Sequence, residues 1–155
     1  MPPKKPVRSR RAGRVCPAAA LSPCRKGELA EIAFLGRATA LGYIVNKPFG
    51  HAAPYYFLIE RGGRALRIQV KSTWVRYKWT GYAVRVGHFD VRWGCTAYKR
   101  SEVDFIAAYV APEDVWYVIP IRAIRGGNTI SLFPHVAGSR ARYERYREAW
   151  ERLIG

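Results

Sequence analysis

The sequence predicts one α+β domain of the sandwich type, and three patterns lead there. Residues 28–41 carry Leu29, Ile32, Ala33 and Ala40 at helical spacing with no proline among them. Residues 55–72 form two strand-like runs around Arg61-Gly62-Gly63-Arg64, the pattern of a hairpin. Residues 103–110 and 115–121 are nearly continuous apolar runs, as expected of strands covered on both faces.

The elements follow in order. Gly42 stands where the first helix would stop, and residues 43–46 are short and β-prone before Lys47-Pro48-Phe49-Gly50 breaks the chain. In the hairpin, the paired glycines can take the positive φ of a tight turn. Residues 81–86 alternate weakly and predict another antiparallel strand, with an irregular stretch over residues 92–100. Gly126-Gly127-Asn128 marks a turn. Residues 139–153 place Tyr143, Tyr146, Trp150 and Leu153 on one stripe, with Arg140 and Glu144, and Glu148 and Arg152, as i,i+4 ion pairs. A closing amphipathic helix is predicted there, and no internal repeat suggests a solenoid.

Composition bounds the function. The 155 residues are 49% hydrophobic, enough to bury a core without disulfides or a structural metal, so wholesale disorder is excluded. Lys and Arg number 27 against 11 Asp and Glu, a net charge of +16. Residues 1–26 hold eight of those bases and no acid, and the remaining 19 bases and 11 acids give another +8. We therefore divide the chain into a flexible basic arm, residues 1–26, and a folded domain, residues 27–155. No run of 18 apolar residues and no signal-peptide core occurs, so a soluble cytoplasmic protein with no membrane partner is expected. The commonest polyanion there is nucleic acid. Cys16, Cys24 and Cys95 lack CxxC spacing and His51, His88 and His135 lie far apart, so no zinc site is expected.

The chemistry concentrates in the hairpin. Alternation along Arg67-Ile-Gln-Val-Lys71 puts Gln69 and Lys71 on one face and Ile68 and Val70 on the other. A lysine held beside a metal-binding carboxylate can orient an attacking water or offset charge developing on a phosphate. The same spacing also suits a half-exposed strand whose polar side chains face water. Around the hairpin, Arg64, Arg67, Arg76, Lys78, Arg92, Lys99 and Arg100 are the candidate phosphate contacts, with Asp90 the single acid between Arg64 and Arg100. Trp74, Tyr77, Trp79, Tyr82, Phe89, Trp93 and Tyr98 are interleaved with them, as core rings or as platforms for unpaired bases.

These segments together resemble a known family. Gly27-Glu-Leu-Ala-Glu31, Gly42-Tyr43, Lys47-Pro-Phe-Gly50, the run over residues 55–60, Ile68-Gln-Val-Lys-Ser72, Val103-Asp-Phe-Ile and Pro112-Glu-Asp-Val-Trp-Tyr-Val-Ile-Pro120 look like the PD-(D/E)XK nucleases. The similarity runs from about residue 26 to residue 153, toward the group I intron-associated, Holliday-junction-resolvase-like endonucleases of bacteria. It implies a restriction-endonuclease-like core, a central mixed sheet flanked by an N-terminal and a C-terminal helix. It further implies Mg²⁺ as cofactor, DNA (duplex or branched) as partner, and a dimer or tetramer.

Carried across by position, the resemblance assigns Glu31 and Gln69 as metal ligands and Lys71 as the catalytic lysine. The family's metal-binding Asp is expected at the head of the first hairpin strand, where this chain has Pro54-Tyr55-Tyr56, so Tyr56 occupies that place. Mg²⁺ is usually held through one or two carboxylates, and a phenol of pKa about 10 is neutral at pH 7. Counting Glu31, Tyr56, Gln69 and Lys71, the local charge is 0, where an Asp would give −1. Glu60 shares the strand face of Tyr56 but stands about 13 Å along, reachable only through a bulge. Three functions follow: a DNA-binding protein of nuclease fold whose hydrolysis is weakened or lost at Tyr56, an active Mg²⁺-dependent endonuclease, or a basic RNA-binding module.

Overall fold

The computed structural model describes residues 20–50, 52–125 and 127–154. Along the chain run helix α1 (Pro23–Ala40), β1 (Ile44–Asn46), β2 (Phe57–Arg61), β3 (Arg64–Thr73), β4 (Arg76–Tyr77), β5 (Gly81–Arg85), β6 (Gly87–Asp90), β7 (Gly94–Ala97), β8 (Phe105–Val110), β9 (Val115–Pro120) and β10 (Thr129–Leu132). A five-stranded sheet has the order β1-β2-β3-β8-β9, a three-stranded sheet the order β10-β5-β4, and β6 and β7 form a ribbon. In the large sheet β3 and β8 are parallel and every other pair is antiparallel. This is the predicted mixed sheet, flanked by one main helix where two were expected.

The hairpin forms as expected, with Gly62 and Gly63 both at positive φ, 48° and 76°. Helix α1 starts earlier than predicted. Ser22 caps it by accepting from the Arg25 amide at 3.3 Å, and Pro23 enters its first turn. Residues 23–26, assigned to the basic arm, are thus helical, while residues 1–19 of that arm lie outside the described residues. Gly42, at φ 86°, ends the helix where expected.

The buried stripe of α1 also differs from the predicted one. Ala30, Phe34 and Ala38 face the sheet, whereas Ile32 is 63% exposed. Two small alanines let the backbone approach closely, and Phe34 fills the space between them. Its ring stacks on Phe57 at 5.1 Å and meets Trp116 and Trp150, each at 5.7 Å. This core lies on one face of the large sheet, with Ile59, Ile68, Val70 and Val118. On the other face, Ile106, Ala108, Val110, Tyr117 and Ile119 pack against Tyr82, Val84, Ile130 and Leu132 of the small sheet. Strands β8 and β9 are therefore covered twice, which explains their continuous apolar character.

The predicted closing helix is replaced by two short 3-10 turns, Glu144–Tyr146 and Trp150–Leu153. The reason is the sandwich itself. Tyr143 is buried in the core against the small sheet, while Trp150 and Leu153 are buried in the core against α1. One straight helix presents one face to one layer, so the chain must cross the β9 edge between them. Glu148 fixes the crossing: its carboxylate accepts from the Trp116 amide at 2.7 Å and from Trp150 Nε1 at 2.8 Å, and its φ is 47°. The predicted ion pairs give way to Arg147 with Glu144 at 3.2 Å and Arg37 with Glu148 at 3.9 Å. Strand β7 replaces part of the irregular stretch predicted over residues 92–100, and β4, β6 and β10 form where no strand was predicted.

Candidate active site

Three elements converge beside the open end of the hairpin. Glu31 comes from the middle of α1, Tyr56 from the residue before β2, and Gln69 and Lys71 from β3. A cavity of about 540 Å³ is lined by Glu31, Lys47, Tyr56 and Gln69, among others. A smaller one of about 200 Å³ is lined by Glu31, Tyr56, Lys71 and Ser72. Glu31 and Tyr56 border both, so all four residues singled out by sequence meet at adjoining hollows.

Gln69 is buried, and its amide is oriented by two acceptors. Nε2 donates to the Pro54 carbonyl at 3.0 Å and to Tyr98 Oη at 2.9 Å, leaving Oε1 buried with no partner among the described residues. Tyr98 does a second job. Lys71 Nζ lies 5.2 Å from the centroid of its ring, so one buried tyrosine contacts both Gln69 and Lys71. Burial pushes the Lys71 ammonium below its usual range and Arg85 acts the same way, against an opposing influence of Cys95. Sequence reasoning treated Tyr98 as one ring among seven; no spacing relation between β3 and residue 98 could have marked it.

Lys47 was also missed as a site residue. Its ammonium meets Glu31 Oε2 at 3.0 Å, and the Glu31 side chain is only 17% exposed. Beside this pair, the Tyr56 phenol is pushed up from its usual pKa by burial first, then by the Glu31 and Tyr98 charges, with Lys47 opposing. Tyr56 is therefore a neutral phenol at physiological pH. Glu60 offers no replacement carboxylate: β2 pairs with β3 in unbroken register, and Glu60 accepts from Asn46 Nδ2 at 3.0 Å on the exposed strand face.

The donor set suits a hard divalent cation poorly. Its one carboxylate already holds an ammonium, its phenol is neutral, and its amide supplies a single oxygen. With Lys47 counted beside Glu31 and Lys71, the local charge is +1, a step further from metal binding than the sequence indicated. Among the described residues no group of three or more His, Cys, Asp or Glu stands ready to hold a metal.

The candidate phosphate contacts do not share one surface. Arg76, Lys78, Arg92 and Lys99 are exposed on the small strands and the segments between them. Arg67 is engaged inside the fold: its guanidinium meets Asp104 through Nε at 2.9 Å and Nη2 at 3.0 Å, and also reaches the carbonyls of Arg100 and Ser101. Arg64 and Arg100 border a separate hollow. Replacing Asp104 by Ala is expected to cost about 1–3 kcal/mol in urea unfolding, because the Arg67 guanidinium and its backbone amide both lose their acceptor. Burial alone would raise the Asp104 pKa, but the bonds from Arg67 outweigh it and hold the carboxyl below 3.8. The stability this gives is full above the unfolded pKa and is lost as pH falls through the lower folded value.

The family model described as PD-(D/E)XK endonuclease matches residues 21–153. The chain belongs to this family. Among solved structures, this PD-(D/E)XK chain is similar to a bacterial homing endonuclease, I-Ssp6803I, at 32% identity and a TM-score of 0.74, over 86% of this chain and 93% of the other. No protein of curated function matches it significantly. No described helix is long and apolar enough to cross a membrane.

Proposed function

We propose that this PD-(D/E)XK protein binds DNA and that its metal-dependent phosphodiester hydrolysis is weakened or lost, because Tyr56 stands where the family's metal-binding Asp is expected. The observation that carries the reading is the state of the site: Glu31 paired to Lys47 beside a neutral phenol. DNA binding does not depend on that site. The net charge of +16 favours a polyanion, and four of the seven interleaved rings, Tyr77, Trp79, Phe89 and Trp93, are exposed beside Arg76, Lys78 and Arg92. Exposed rings next to cations suit nucleic acid, since phosphates take the charge and bases take the ring faces. Duplex or branched DNA in the cytoplasm is the proposed partner, and a dimer would match its two-fold symmetry. Kinship to the intron-associated, Holliday-junction-resolvase-like branch belongs to the same reading.

A second reading, an active Mg²⁺-dependent endonuclease, draws on one observation. The buried Gln69 Oε1 without a partner is an oxygen donor held in place, close to Lys71 along the strand. One experiment separates the two readings. Purified protein should bind a labelled duplex with a steep fall on adding salt, about 10³–10⁵ in affinity between 50 and 200 mM if six to ten phosphates are contacted. It should cut that duplex poorly in Mg²⁺ or Mn²⁺. Robust cutting that Lys71→Ala abolishes would establish the active enzyme instead, and a clear preference for RNA of equal charge would overturn DNA as the partner.

A further inference from the structure

A cavity of about 630 Å³, larger than either hollow of the candidate active site, opens at the opposite end of β3. Its wall includes Arg64, at the start of that strand, seven residues or about 23 Å from Lys71. Arg100, Arg122 and Arg152 complete a set of four arginines from four different segments. Each sits on a held piece of backbone. Arg64 follows the two-glycine turn, and Arg100 lies in the segment whose carbonyls accept from Arg67. Arg122 is on the 3-10 turn Ile121–Ala123, tied down where the Ile121 amide donates to the Asp104 carbonyl at 2.9 Å. Arg152 packs its guanidinium 5.0 Å from the Tyr146 ring centroid.

No acid answers this charge. Asp104 is the one carboxylate on the wall, and both its oxygens are bound by Arg67. None of the four arginines forms an ion pair among the described residues. Convergence of like charges without a counter-charge is unfavourable, and an entering anion relieves it. Guanidinium groups grip phosphate oxygens in bidentate fashion. Leu66, Phe105, Pro120 and Ile154 line the same cavity, apolar surface that suits a flat ring rather than a bare ion. The volume lies within the range of small-ligand pockets.

From this arrangement we infer that the cavity is a second, non-catalytic binding site for a phosphorylated nucleotide, with the phosphates on the arginines and the base on the apolar lining. It stands apart from the proposed active site and does not rest on how Tyr56 is read. Two sources present this chemistry, a free nucleoside triphosphate and the 5′-phosphorylated end of a strand.

The test is titration calorimetry of the full chain with ATP at low salt, compared across two variants of equal net charge. Arg64→Ala/Arg122→Ala should weaken ATP binding at least about tenfold, while Arg140→Ala/Arg142→Ala, which removes two exposed cations away from this cavity, should change it less than about twofold. Inorganic triphosphate should bind more weakly than ATP. A blunt duplex with 5′-phosphates, set against the same duplex with 5′-hydroxyls, identifies the source. Extra affinity from the phosphates that Arg64→Ala/Arg122→Ala removes assigns the site to strand ends, and ATP binding without that gain assigns it to free nucleotide. Equal losses in both double variants, triphosphate binding as tightly as ATP, or no saturable ATP binding together with no gain from the 5′-phosphates would each overturn the inference. Should the first double variant melt early, Arg122→Gln alone, on an exposed side chain, reads the same effect.

Discussion

Tyr56→Asp is expected to raise Mg²⁺-dependent cleavage of duplex DNA by at least about a hundredfold, the low end of what one well-placed charge contributes at an active site. A hundredfold corresponds to about 2.7 kcal/mol at the barrier. The physical basis is the ligand set. The substitution exchanges a neutral phenol for a carboxylate at a position that lines both hollows, lowering the local charge from +1 to 0. Adding Lys47→Ala should raise cleavage further, because it frees Glu31 from its ammonium partner and brings the charge to −1. Adding Lys71→Ala to Tyr56→Asp should abolish the gain. A folded Tyr56→Asp/Lys47→Ala protein that cuts no better than the natural chain would refute the account of why the site is weak.

The largest loss of stability is expected from Phe34→Ala, about 3–5 kcal/mol, measured by urea or thermal unfolding. Phe34 is fully buried and touches three other rings, so truncation removes its transfer energy and leaves a cavity that rigid aromatic neighbours cannot fill. For a domain of this size the melting temperature should fall by on the order of 10 °C. Ile32→Ala on the same helix should stay within about 0.5 kcal/mol, since most of that side chain faces water. Similar losses at both positions would contradict the observed orientation of α1.

That comparison also shows where the fold was legible in the sequence. Turn glycines and the doubly apolar strands carry their structural cause locally, so the hairpin and the β8–β9 pair could be placed from sequence. Helix α1 could be placed too, but its buried face depends on which residues meet Phe57 and Trp116 across the sheet, and alanines at close approach leave a weak apolar signal. The end of the chain misled for a different reason. Its helical spacing of Tyr143, Tyr146, Trp150 and Leu153 does mark burial, but the burial is divided between two layers, which periodicity cannot express. At the candidate site, Glu31, Tyr56, Gln69 and Lys71 were found through the family pattern, and the structure brings them together. Tyr98 and Lys47 act through distant pairings that only the folded chain reveals. Arg67 illustrates the converse, a cation that sequence assigns to a partner and the fold binds to its own Asp104.

The pairing of β10 with β5 bears on how the protein forms during synthesis. Strand β5 lies within the long crossover from β3 to β8, yet the neighbour that completes its sheet is made more than forty residues later. Trp150 and Leu153, which close the layer beneath α1, are later still. Until residues 129–153 leave the ribosome, the hairpin and the first helix can form, but the small sheet lacks β10 and the core beneath α1 lacks Trp150 and Leu153. Both layers are therefore completed only once residue 153 has emerged, and a shorter nascent chain would expose the apolar faces of β8 and β9 to whatever chaperones attend the tunnel exit.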